Sequence, residues 1–155
     1  MQTLTVGSKA PMFTLANQDG QDVTLTSLLE KGQVLVYFYP KAMTPGCTVQ
    51  ACGIRDNFTA FQEKQLSVVA ISPDPVKSLA KFALRDQLPF TLLSDEDHQV
   101  AEAFGVWGSK KFMGKVYDGI HRISFLIAQD GTITHVFDSF KTSNHHQVVL
   151  DALNA

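Results

Sequence analysis

Cysteine is nearly absent from this 155-residue chain, which carries only Cys47 and Cys52. Two thiols are too few to staple a fold of this size or to complete a four-thiolate zinc site, so stability has to come from a core. An excess of one charge is missing too: 13 Lys and Arg stand against 15 Asp and Glu, a net charge of −2. That balance gives no electrostatic footprint for a nucleic-acid backbone or an anionic membrane. The longest apolar run, Val34 to Tyr39, falls far short of the roughly 18 residues that suggest a membrane span. The opening MQTLTVGSKA has no charged segment followed by an apolar one, so a reducing cytoplasm is the expected compartment. Repeats, low-complexity segments and charge runs that would mark a linker are absent as well. What is present, 45% hydrophobic and 18% charged residues, suits one well-packed core, and residues 1–155 are expected to form a single domain.

Periodicity divides the chain into short strands and helices. Pro11 to Leu15 and Val23 to Leu25 flank Asp19-Gly20, a turn dipeptide, and predict an opening β-hairpin. Val34 to Tyr39 lacks polar alternation and ends at Pro40, which fits a central strand covered on both faces. Ile54, Phe58 and Phe61 then recur at helical spacing, predicting one helix from about Pro45 to Lys64, with proline in the tolerated first turn. Leu66 to Ile71 reads as a strand, Pro75 opens a helix, Phe90 to Leu93 is a short strand, and a short helix holds Val100 and Phe104. Gly105 to Gly119 reads as a loop. Ile123 to Ile127 and Thr132 to Phe137 enclose Asp130-Gly131 as a second hairpin, and a last helix runs from near Ser143 to Leu153. The fold class is therefore α/β, a central mixed sheet flanked by helices in a thioredoxin-like pattern with an N-terminal β-hairpin.

Chemistry concentrates in Pro40-Lys-Ala-Met-Thr44-Pro-Gly-Cys47-Thr-Val-Gln-Ala-Cys52. Cys47 falls where a buried strand hands over to the first turn of a helix, and there unpaired N–H groups and the helix dipole stabilise an anion. This matters because an ordinary thiol is only about 3% ionised at pH 7, and the thiolate is the nucleophile. A plain buried cysteine explains the position less well. Cys52 follows five residues later, which on an ideal helix puts the Cα atoms roughly 8.7 Å apart, beyond the about 7 Å a disulfide spans. The pair can bridge only if the helix unwinds, and Gly53 weakens that region; a core position on the face of Val49 remains equally open for Cys52. Pro40 offers an apolar wall without an N–H, and Thr44 offers a hydroxyl one turn from the thiol, alongside their ordinary duties as strand terminator and helix cap.

Pro40, Thr44 and Cys47 match the P-x-x-x-T-x-x-C signature of the peroxiredoxins, and a second cysteine five residues on resembles the bacterioferritin comigratory protein (PrxQ) class. VLVYFYPKAMTPGCTVQACGIRD, FTLLSDEDHQVAEAFGVWG, FMGKVYDGIHRISFLI and FKTSNHH all resemble that class, so the likeness spans nearly the whole chain. It implies a thioredoxin-like fold and a thiol peroxidase that needs no bound cofactor or metal. In that class Cys47 would be the peroxidatic thiol that passes through a sulfenic acid, and Cys52 the resolving thiol that closes a Cys47–Cys52 disulfide. Thioredoxin would be the usual reductant and the monomer the usual state. By the same resemblance Arg122, in Gly119-Ile-His-Arg122-Ile-Ser-Phe125, matches the arginine that peroxiredoxins bring to the thiolate, where a guanidinium would favour the anion and polarise the peroxide.

Other candidates carry less. His145-His146 points to two helix faces with no third ligand at a metal spacing, and reads as a solvated helix start. Lys110, Lys111 and Lys115 lack the Ser/Thr of a phosphate loop and read as a surface loop on the pocket rim. Trp107 reads as core, and Asn57-Phe-Thr59 lies in a predicted helix, which removes it as a glycosylation acceptor. A cysteine hydrolase pairing Cys47 with His121 leaves Cys52, Thr44 and Arg122 without roles, and a redox sensor would need to oxidise only once rather than turn over.

Overall fold

The computed structural model describes all residues, Met1 to Ala155. Seven strands form one sheet in the order β2-β1-β5-β4-β3-β8-β9. Its centre is the parallel trio in which β4 (Ser67–Ser72) lies between β3 (Val34–Phe38) and β5 (Thr91–Ser94). Every residue of β3 is buried, as expected for a strand covered on both faces. Leu35, Tyr37 and Tyr39 point into one apolar cluster, and Val34, Val36 and Phe38 into the other.

Helices cover both faces. The first cluster takes Ala51 and Ile54 from α2 (Pro45–Asp56), Phe61 from α3 (Phe58–Glu63), Leu79 and Phe82 from α4 (Val76–Asp86), and Val149 and Leu150 from α6 (His145–Leu153). The second takes Leu25 and Leu29 from α1 (Leu25–Lys31) and Ala101 and Phe104 from α5 (Gln99–Phe104). The two expected hairpins lie at opposite edges: β1 (Thr14–Asn17) with β2 (Asp22–Thr24), and β8 (Ser124–Ile127) with β9 (Ile133–Phe137). Antiparallel pairing of β8 to β3 carries the residues just before β8 to the end of the sheet where α2 begins.

Four local expectations are corrected. Leu25 leaves the strand and opens α1, because Thr24 Oγ1 accepts the Ser27 N–H at 3.1 Å and caps a helix too short to register as a period. The helix expected over Pro45 to Lys64 breaks at Asn57, whose Nδ2 donates to the Gly53 carbonyl at 2.8 Å and competes with the helical ladder. The segment expected as a loop is a separate hairpin, β6 (Trp107–Phe112) and β7 (Lys115–Ile120). Its turn is Met113-Gly114, both at positive φ (50° and 79°), and its outer half is exposed on both faces, so no apolar alternation announces it. Trp107, expected in the core, lies at its edge: half-buried at the base of this hairpin, it packs against the second cluster and stacks on His98 with centroids 3.9 Å apart.

Gly53 does more than soften α2. A Cβ at this position would clash with His146 Nδ1, so the bare Cα is what lets α6 close on α2. Gly53→Ala is expected to lower stability by about 1–2 kcal/mol despite alanine's better helix propensity, measured by urea unfolding. Combined with His146→Ala, the same change should become neutral or stabilising.

Candidate active site

Cys47 lies in the first turn of α2, two residues after Pro45, and is 1% exposed. The strand–loop–helix passage from β3 puts it beside the sheet end, and the parallel crossover to β4 packs α2 back on the sheet. Arg122 arrives from the other side, in the link between β7 and β8. Its Nη2 donates to Cys47 Sγ at 3.2 Å and its Nη1 to Gln50 Oε1 at 2.9 Å. Gly46 makes room: a Cβ there would stand 3.1 Å from Nη2.

Thr44 occupies the N-cap position of α2, but its hydroxyl does not cap. It donates instead to the Lys41 carbonyl at 2.8 Å, which commits its one proton and leaves oxygen lone pairs to accept from a bound molecule. Pro40 is half-buried and directly follows Tyr39, whose N–H bonds the Ile71 carbonyl at 3.1 Å. The structure thus sets Cys47, Gln50 and Arg122 in contact and joins Pro40 and Thr44 to them through one short loop.

Cys52 sits further along α2 and is half-buried, while Val49 is 47% exposed, so neither fills the core position left open by the sequence. Both cysteines are free thiols. Burial pushes the Cys52 thiol up; Asp86 and Asp56 add to this against Arg55 and Arg85. His121, the base a hydrolase would need, directs Nε2 to the Ser109 carbonyl at 3.1 Å.

Gln50, His145 and Asp74 are neighbours that sequence reasoning did not assign to the site, whereas Lys110, expected on the pocket rim, does lie near Arg122 and Cys47. Gln50 is fully buried one turn after Cys47, a spacing that the motif itself contained. Lys110 is not a free surface lysine. Its Nζ bonds the Ile120 carbonyl at 2.6 Å, and burial, then Arg122, pulls its amine down. His145 corrects the expectation of a solvated helix start: it is 0% exposed, shares a 2.8 Å hydrogen bond with Ser124 Oγ, and packs on Tyr37 and Phe140. A depression of about 520 Å³ on Met12, Leu29 and Gln129 contains none of these residues.

A buried thiol at a helix N-terminus with a guanidinium on its sulfur defines a thiol-based redox site on a thioredoxin-like sheet. The sequence matches the AhpC/TSA family over residues 6–136, and the chain belongs to that family. It is 63% identical to peroxiredoxin Bcp of Escherichia coli (strain K12) over 154 residues, 99% of this chain and 97% of that protein. It is 40% identical to peroxiredoxin Bcp of Bacillus subtilis (strain 168) over 151 residues, 97% of this chain and 96% of that one. Among solved structures, peroxidoxin BcpB from Mycobacterium tuberculosis superposes with a TM-score of 0.86 at 39% identity, covering 96% of each chain. PrxQ from Xylella fastidiosa superposes at 0.92 with 26% identity, covering 99% of this chain and 98% of its own. Within the family the chain falls in the bacterioferritin comigratory class of peroxiredoxins, and it is a peroxidase.

Burial holds His145 neutral, pushing its pKa down from 6.5 to about 3, with His146 and Arg122 adding to the effect. The unfolded chain therefore binds a proton that the folded chain refuses between those two values. Stability from this group is complete above pH 6.5 and is lost as pH falls toward 3, by up to about 1.4 kcal/mol per unit. His145→Gln should flatten this acid limb, measured by urea unfolding of both proteins from pH 4 upward.

Proposed function

We propose that the enzyme reduces hydrogen peroxide and organic hydroperoxides through a Cys47 sulfenic acid and a Cys47–Cys52 disulfide, with thioredoxin or a similar dithiol protein as reductant. The observation that carries the reading is the Arg122 guanidinium 3.2 Å from a buried sulfur at the start of α2. The Cys47 thiolate attacks one peroxide oxygen, the O–O bond breaks, and the other oxygen leaves with a proton as water or alcohol. Sulfur is oxidised by two electrons. Thr44 Oγ1, its own proton committed to Lys41, accepts the peroxide O–H and aims it, while Arg122 stabilises charge as the bond breaks. Pro40 keeps general solvent from the sulfur.

Resolution needs Cys52 to reach Cys47, and an intact α2 keeps them apart. α2 unwinds locally, the Cys52 sulfur displaces hydroxide from the sulfenic sulfur, water is released, and the disulfide closes. Two electrons from an external dithiol restore both thiols and let α2 reform. Both cysteines belong to one chain, so the cycle is complete in a monomer.

The test is peroxide consumption coupled to a thioredoxin system. Cys47→Ser should abolish turnover; full turnover in that variant would sink the assignment. Cys52→Ser should form a trappable Cys47 sulfenate in a single turnover and then stall, unless another thiol is added. Failure to trap it would remove Cys52 from the resolving role.

A further inference from the structure

We propose that Asp74 is a positioning residue for the peroxide step, a carboxylate clasp that holds the Pro40–Thr44 loop against the ends of β4 and β5. The inference rests on the reading of Cys47 as the peroxidatic thiol. Asp74 Oδ2 accepts the backbone N–H of Ala42 at 2.7 Å and the hydroxyl of Ser72 at 2.7 Å. Its own carbonyl accepts the Ser94 hydroxyl at 2.6 Å, and the Asp95 N–H bonds the Ser72 carbonyl at 2.8 Å. One residue thereby ties the loop after β3 to the last residues of both parallel neighbours.

The loop needs such a tie. Ala42 is 5% exposed, so without Asp74 its N–H would be a buried donor left unpaired. The next residue, Met43, stands at φ 66°, a left-handed conformation that a non-glycine side chain disfavours and that surrounding contacts must enforce. Thr44 follows at once and closes the loop on Lys41. A shift of Ala42 therefore moves both the Thr44 hydroxyl and the helix start carrying Cys47. The acceptor is itself pre-set. Pro73 and Pro75 flank Asp74, fixing two φ angles and keeping Ser72 and Asp74 extended. Asp74 forms no salt bridge, so its charge is spent on these donors alone.

The experiment separates the steps by stopped flow: oxidation of Cys47 by hydrogen peroxide, then disulfide formation. Asp74→Ala should slow oxidation by about 10- to 100-fold, as for a misaligned reacting group, and change disulfide formation by less than about 3-fold. Asp74→Asn keeps an oxygen for the Ala42 N–H and should stay within about 5-fold of wild type, the worth of one weakened hydrogen bond. Oxidation at the wild-type rate in Asp74→Ala overturns the proposal. So does an equal loss in both steps, which marks general loosening, or an Asn variant as slow as the Ala variant. Should Asp74→Ala fail to fold, Ser94→Ala loosens the same clasp from its far side; it should slow oxidation alone, and an unchanged rate overturns the proposal. If wild type is not oxidised by peroxide at Cys47, the underlying reading fails first, and that result is distinct because it requires no variant.

Discussion

The structure depends on a guanidinium that has no carboxylate. Arg122 is half-buried, its two Nη atoms donate to a neutral amide oxygen and a sulfur, and it takes part in none of the three ion pairs of the chain. A cation withdrawn from water without a counter-ion is costly, and a negative charge on the Cys47 sulfur is the nearest remedy. In the proposed cycle the thiolate that attacks peroxide is also the partner that Arg122 lacks. The surroundings are arranged for it: Gly46 lets the guanidinium approach, and Gln50 fixes its orientation from one turn further along the same helix. Lys110 adds a second cation nearby, tethered to Ile120 and so unable to swing onto the sulfur as a rigid partner would.

Bringing Arg122 there is a matter of topology. Cys47 follows β3 and Arg122 precedes β8, two strands paired antiparallel with Tyr37 opposite Ser124. The end of one and the start of the other therefore meet at a single corner of the sheet. His145 seals that corner from behind, bonded to Ser124 and packed with its ring tilted against Tyr37. A neutral imidazole suits the position because a third positive charge beside Arg122 and Lys110 would compete for the same sulfur.

The parts of this arrangement built on period and punctuation could be read from the sequence. β3 declared itself by an apolar run ending in Pro40, both edge hairpins by Asp-Gly turns, and the start of α2 by Pro45. The P-x-x-x-T-x-x-C spacing located Cys47, Thr44 and Pro40, and the family resemblance pointed to Arg122. What escaped has physical causes. The outer half of the β6–β7 hairpin faces water on both sides and so has no alternation; α1 has seven residues and two buried side chains. Asn57 ends α2 through a side-chain bond that competes with a good helical pattern. Asp74 and His145 act through contacts 32 and 21 residues away, where sequence proximity gives no hint.

In the proposed cycle helix α2 has two opposed duties. It must be rigid at its first turn, where Cys47 meets Arg122, yet soft enough for Cys52 to leave its place. The chain divides these along the helix. The first turn is held by the proline at its start, the Gln50–Arg122 bond and the loop closed by Thr44 and Asp74. Around Cys52 the supports are weaker: Gly53 lacks a side chain, Val49 lies in solvent, and the Gly53 carbonyl is shared with the Asn57 side chain. The close approach of Gly53 to His146 is one tie between α6 and this half of α2. It is a packing contact without a salt bridge or hydrogen bond, so it can open without stranding a charge. Local unfolding in such a segment costs far less than global unfolding, which lets the rest of the sheet persist while the two sulfurs meet.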